Sequence, residues 1–227
     1  MEALVTQTPN TVWGIGGAYL CLIAIVLSAS ALLALHIKSP EFAPSWRMVS
    51  EYANGEHKWL LSLFFLGWAV SSLALIWGLL PLWGTTLGKA SLLFLALASV
   101  GQLMGMAFDI NHPLHGVAAM IGIPAICISA VVVTWAITEH GGIAAPPAWT
   151  AHLPWISFVL ILAALFVFFS SLKSAGVDLS GKAPLTELPE GVLGYVGWAN
   201  RLLILACYLW AGLTAILLLQ AVKSAPI

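Results

Sequence analysis

Residues 108–116, FDINHPLHG, set Asp109, His112 and His115 close together in a chain that is otherwise nearly all hydrocarbon. An imidazole titrates near neutrality and can pass protons, and His115 is the candidate acid/base. Asp109, His112 and His115 are also the side-chain types that hold a divalent metal, so a metal is a candidate cofactor. Two further stretches carry polar chemistry. In SWRMVSEYANGEHKW, residues 45–59, Arg47, Glu51, Asn54 and Lys58 recur at helical spacing, with Trp46, Val49 and Ala53 on the other side. That pattern predicts a short amphipathic helix in the membrane interface. Arg47 and Glu51 are four apart and could form a simple surface pair. The alternative aims Glu51 at His115 and Asp109, making these three the catalytic set. In GWANRLL, residues 197–203, Arg201 stands at the start of an apolar run.

Helix dipoles suggest a link between these stretches. Asp109 at a helix C-terminus and Arg201 at a helix N-terminus are both on the unfavourable side of the dipole, by about 0.3–1 kcal/mol each. The two are therefore expected to lie close, paired directly or through one ligand, with Arg201 and Arg47 holding an anionic group. His112 or Asn111 could cap the helix that follows, with Pro113 in its first turn.

The elements that must position these groups are membrane helices. The chain has 227 residues, 61% hydrophobic and 7% charged, with mean hydropathy +1.00. Soluble proteins carry about a quarter charged residues. Six uncharged apolar runs, at 12–35, 59–80, 90–108, 113–137, 153–172 and 202–219, are each about the 20 residues needed to cross the hydrocarbon. They lack the alternation of barrel strands. The fold expected is all-α, a single polytopic domain over 1–227 of six transmembrane helices with the short interfacial helix before the second.

Parity then puts connections 1–2, 3–4 and 5–6 on one face. That face gathers every charged residue except Glu2, Lys89, Glu139 and Lys223. Its loops hold Lys38, Arg47, Lys58, Lys173 and Lys182 against Lys89 and Lys223 opposite, which predicts a cytoplasmic charge-rich face. The expected location is the cell membrane, multi-pass. No cleaved signal peptide is expected: the first apolar run continues past the small residues of SASA, 28–31, and carries no leading Lys or Arg. A net charge of -1 gives no field for nucleic acid. Cys21, Cys127 and Cys207 are far apart in apolar runs and read as buried free thiols. Haem ligation by His36 with His112 or His115 is less favoured than a divalent metal, because all three lie at span ends. At mid-span Gln102 is the main hydrogen-bonding group, Ala98, Gly101 and Gly105 form a packing stripe, and Trp68 and Trp210 are deep enough to line a groove.

In three places, MVSEYANGEHKWL, FDINHPLHGVAAMIGIP and GWANRLL, the chain resembles the bacterial and archaeal six-span family known as domain of unknown function 998. The resemblance covers nearly the whole length. It implies site positions at Ser50, Glu51, Asp109, His115, Gly197 and Arg201. Ser50, and Asn200 beside Arg201, join Arg201 and Arg47 as ligand-binding candidates. The family brings no settled activity, and a distant similarity to eukaryotic six-span families linked to lipid remodelling and autophagy is an analogy only. The function expected is to bind or modify a membrane lipid or other amphiphile at this face, with metal assistance as a candidate. A structural or regulatory subunit is the alternative, and a small-molecule transporter the third reading.

Overall fold

The computed structural model describes residues 12–140, 143–177 and 185–223. Glu2, Asp178 and Lys182, assigned above to membrane faces, lie outside that range. Six helices form: α1 (Val12–Lys38), α2 (Lys58–Gly78), α3 (Thr86–Ala107), α4 (His115–His140), α5 (Ala148–Ser174) and α6 (Val196–Lys223). All six are long and apolar enough to cross a membrane. The protein is a multi-pass, all-helical integral membrane protein.

Each helix packs on the next in the chain, and α6 closes the ring against α1. The outward faces carry the large aliphatic and aromatic side chains, such as Val26, Leu33 and Phe166. The interior mixes large apolar side chains such as Phe64, Leu75 and Leu95 with small and hydroxyl residues such as Ala69, Ser72 and Ser99, which let helices approach closely where lipid is the solvent. Ser28 Oγ on α1 donates to the Phe64 carbonyl on α2 at 2.5 Å and takes the Tyr208 hydroxyl of α6 at 2.5 Å. Trp210 on α6 is fully buried and donates to Thr134 Oγ1 on α4 at 3.1 Å. It braces helices and lines no groove. The expected small-residue stripe does pack: a Cβ on Gly101 would stand 2.3 Å from Gly122 Cα, so α3 and α4 touch backbone to backbone.

Two boundaries differ from expectation in ways that matter. α6 begins at Val196, so Arg201 sits in its second turn and not at its edge, where the dipole effect has faded. α4 begins at His115, leaving Pro113 in the preceding turn. The segment before α2 is a 3-10 helix, Val49–Asn54, rather than an amphipathic helix with Arg47 facing outward. Val49, Tyr52 and Ala53 are buried, and so are Trp46 and Arg47 just before it.

Candidate functional site

The 1–2 connection is pressed onto the start of α6. The N–H groups of Gly197 and Trp198 both donate to the Ser45 carbonyl, at 2.9 and 3.2 Å. This contact needs glycine, since a Cβ at Gly197 would stand 2.4 Å from the Pro44 carbonyl and 2.7 Å from that of Arg47. One turn on, Asn200 Oδ1 accepts the Val49 N–H at 2.9 Å. Next to it, Arg201 is 6% exposed and spends its guanidinium on neutral groups. Nε donates to His36 Nε2 at 2.7 Å, Nη1 to the carbonyls of Arg47 and Gly197 at 2.8 and 3.0 Å, and Nη2 to the Tyr52 hydroxyl at 3.4 Å. His36 Nδ1 faces the Leu32 carbonyl at 2.6 Å, so that nitrogen carries the ring proton and Nε2 is the bare acceptor for Arg201. Tyr52 stays a neutral phenol: burial pushes its hydroxyl above the ordinary range, and Arg201 offsets part of that.

Arg47 and Glu51 do pair, Nη1 to Oε2 at 2.6 Å, but as a buried pair, with side chains 9% and 15% exposed. Glu51 Oε1 takes the Met48 N–H at 2.8 Å. The Arg47 guanidinium lies over the Trp46 ring at 4.5 Å and near Phe42 at 5.4 Å. Its Nε–H is buried and has no hydrogen-bond partner among the described residues.

Asp109 lies on the same rim but does not pair with Arg201. It binds Lys58 at the start of α2, and its Oδ1 takes the Asn111 N–H at 2.9 Å. Those two bonds, Lys58 first, hold its carboxyl below the usual carboxylate range. The expected direct pairing of Asp109 with Arg201 does not form: the acid is satisfied by Lys58 at the start of α2 and the guanidinium by carbonyls, a ring nitrogen and a phenol. His112 stacks on Phe108, and its Nδ1 takes the Leu114 N–H at 3.1 Å. Leu114 lies before α4, so this bond closes a turn ahead of the helix and does not make His112 the expected cap of its first turn. His115 Nδ1 meets the Phe108 carbonyl at 2.9 Å, leaving Nε2 as a free lone pair. No hydrogen bond or ion pair joins His115, Asp109 and Glu51 among the described residues, so the three do not form one constellation. Likewise no three His, Cys, Asp or Glu side chains there come together to hold a metal, and the expected set of Asp109, His112 and His115 does not assemble.

What these rim groups surround is a cavity of about 580 Å³ inside the ring, lined from α2 through α6. Its mouth is formed by Ser50, His115 and Asn200, and its wall is overwhelmingly apolar. Trp68 lines it, as its depth suggested, and Gln102, whose Oε1 accepts from Ser72 Oγ at 3.0 Å, is the polar group partway down. The cavity also reaches the outer surface between α4 and α5, where its lining residues Met120 and Leu162 are 79% and 49% exposed. Pro124, in the same wall, has no N–H and so leaves the Met120 carbonyl without its usual helical donor. Sequence reasoning missed the cavity, Tyr52 and the Lys58–Asp109 bond. The spacing of Tyr52 with Val49 on one helical face was the signal for Tyr52.

A family model described as "Protein of unknown function (DUF998)" matches residues 22–217. The chain belongs to the DUF998 family. No curated protein and no solved structure matches this DUF998 chain. The three motifs that carried the resemblance meet at one end of the bundle. The Ser-Glu motif and the Gly-Arg motif are bonded to each other through Arg201, Asn200 and Gly197. The Asp-His motif supplies the other side of the cavity mouth through His115.

Proposed function

We propose that this DUF998 protein binds a lipid or other amphiphile, with the chain in the cavity and the polar end among Ser50, His115 and Asn200. One observation carries the reading: a single apolar cavity reaches both a polar rim and the lipid-facing surface. Its volume lies within the roughly 300–1,000 Å³ of ligand sites, and such sites combine apolar walls with a few convergent polar groups. His115 is the candidate acid/base, since its Nε2 can accept a proton or hydrogen bond from a headgroup hydroxyl.

The test is a side chain that fills the cavity. Ala119 lines it from α4 and is only partly buried, so Ala119→Phe projects into the space. Native mass spectrometry of the detergent-purified chain is expected to find bound lipid in the wild type. In the variant that lipid should be lost, with stability within the ~1–3 kcal/mol cost of overpacking. Equal lipid retention in both proteins, or none in the wild type, would overturn the reading.

A structural role is the second reading, favoured by Arg201. Four of its bonds go to protein groups that tie α1, the 1–2 connection and α6 together. On that reading Arg201→Leu unfolds the rim and leaves no ligand phenotype apart from instability. Each stranded acceptor would cost about 1–3 kcal/mol.

A further inference from the structure

The charges buried at the rim do not balance. Arg47 and Arg201 are 8% and 6% exposed, and among the described residues Glu51 is the single carboxylate buried with them, Glu41 beside Tyr52 being exposed. All the partners of Arg201 are neutral: a His36 nitrogen that bears no proton, two carbonyls and a phenol. Asp109 is committed to Lys58. The cluster therefore carries one net positive charge out of water, an arrangement tolerated when something negative completes it.

The geometry says where that would be. The Arg47 guanidinium carbon lies 4.5 Å from the Trp46 ring and 5.4 Å from the Phe42 ring, contacts that leave its N–H donors to find acceptors elsewhere. Nη1 has Glu51, while the buried Nε–H has no partner among the described residues. Arg47 lines a small chamber of about 140 Å³ with Trp46, Glu51 and Phe168. Met48 and Leu165 line both this chamber and the main cavity, so the two are neighbours. Both Glu51 oxygens are already hydrogen-bonded, to Arg47 and to the Met48 N–H, which leaves the carboxylate poorly placed to receive a ligand ammonium.

Building on the reading that the cavity holds an amphiphile, we propose that the occupant is a lipid with one net negative charge. Its phosphodiester or carboxylate sits against the Arg47 guanidinium in the small chamber, and its chain runs into the main cavity. Hydroxyls of the headgroup would meet His115 Nε2, Ser50 and Asn200.

The experiment compares phosphatidylglycerol with phosphatidylcholine of identical chains, each titrated into the delipidated full-length protein and read by native mass spectrometry and thermal shift in detergent. The wild type should bind phosphatidylglycerol about tenfold or more tightly than phosphatidylcholine, whose phosphodiester charge is cancelled by its own quaternary ammonium. Arg47→Gln should erase that preference by weakening phosphatidylglycerol more than phosphatidylcholine. Equal binding of the two lipids by the wild type overturns the anionic assignment and leaves the amphiphile reading standing. Binding of neither lipid overturns both. Inorganic phosphate is the third probe: if it stabilises the wild type as much as phosphatidylglycerol does and displaces it, the site takes a free anion and the lipid assignment fails. The wild-type comparison needs no variant, so a misfolded Arg47→Gln would not rescue the proposal.

Discussion

Lys58 and Asp109 show how a rim residue couples to pH. The Asp109 carboxyl is held below its usual range by Lys58 and by the Asn111 N–H, so the folded state binds its proton less tightly than the unfolded chain does. Its contribution is therefore fully present above the unfolded pKa of about 3.9 and is lost as pH falls through the lower folded value. Lys58 is 53% exposed, which limits the pair to the ~0.2–1 kcal/mol of screened surface pairs. Thermal unfolding in detergent between about pH 6 and 3 should show wild type and Asp109→Asn converging as acid removes the advantage of the wild type. A constant gap across that range would rule out the assignment. Residue chemistry was legible in part. That Arg47 pairs with Glu51 follows from their spacing, but not that the pair is buried, because burial was decided by Trp46 and Phe42 folding over it. Nor did dipoles identify the partners of Arg201, since a guanidinium with five donors can spend them on carbonyls, a ring nitrogen and a phenol without meeting an acid.

At the scale of elements, apolar run length located all six helices, because backbone groups in hydrocarbon leave no alternative. Their ends were less legible: polar Asn200 and Arg201 read as a boundary, yet α6 extends beyond them because the 1–2 connection supplies their hydrogen bonds. The cavity was legible only in the depth of Trp68, as it is a space shared by five helices and no one run encodes it. The glycine stripe on α3 does make a sharp statement. Gly101→Leu forces side-chain atoms into the backbone of α4, where even a Cβ would meet Gly122 Cα at 2.3 Å. The variant should splay α3 from α4 and destabilise by more than the ~1–3 kcal/mol of ordinary overpacking, with the cavity wall opened and bound lipid lost. Gly116→Ala on the first turn of α4, where a Cβ meets nothing within 4 Å, should be neutral or stabilise by up to about 1 kcal/mol. Equal melting temperatures for the two variants would refute backbone contact between α3 and α4.

For the whole molecule, parity is the controlling fact. The bonds from Arg201 to His36 and from Lys58 to Asp109 place the end of α1, the 3–4 connection and the starts of α2 and α6 at one end of the bundle. Among the described residues Lys and Arg in loops and tails favour that end four to two, with Lys38, Arg47, Lys58 and Lys173 against Lys89 and Lys223. On the positive-inside rule that end is expected to face the cytoplasm. An orientation of this sort would set Arg47 and its chamber against the leaflet richest in acidic lipid. The orientation is open to direct measurement, because Cys21, Cys127 and Cys207 are all buried and an introduced thiol reports alone. Gly84 at the opposite end has room for a side chain, and Glu56 at the charge-rich end is exposed. In intact cells a membrane-impermeant maleimide should label Gly84→Cys and spare Glu56→Cys until the cells are opened. The reverse pattern would invert the protein in the membrane and take the acidic-leaflet argument with it. Labelling of both sites in intact cells would break the six-crossing topology itself.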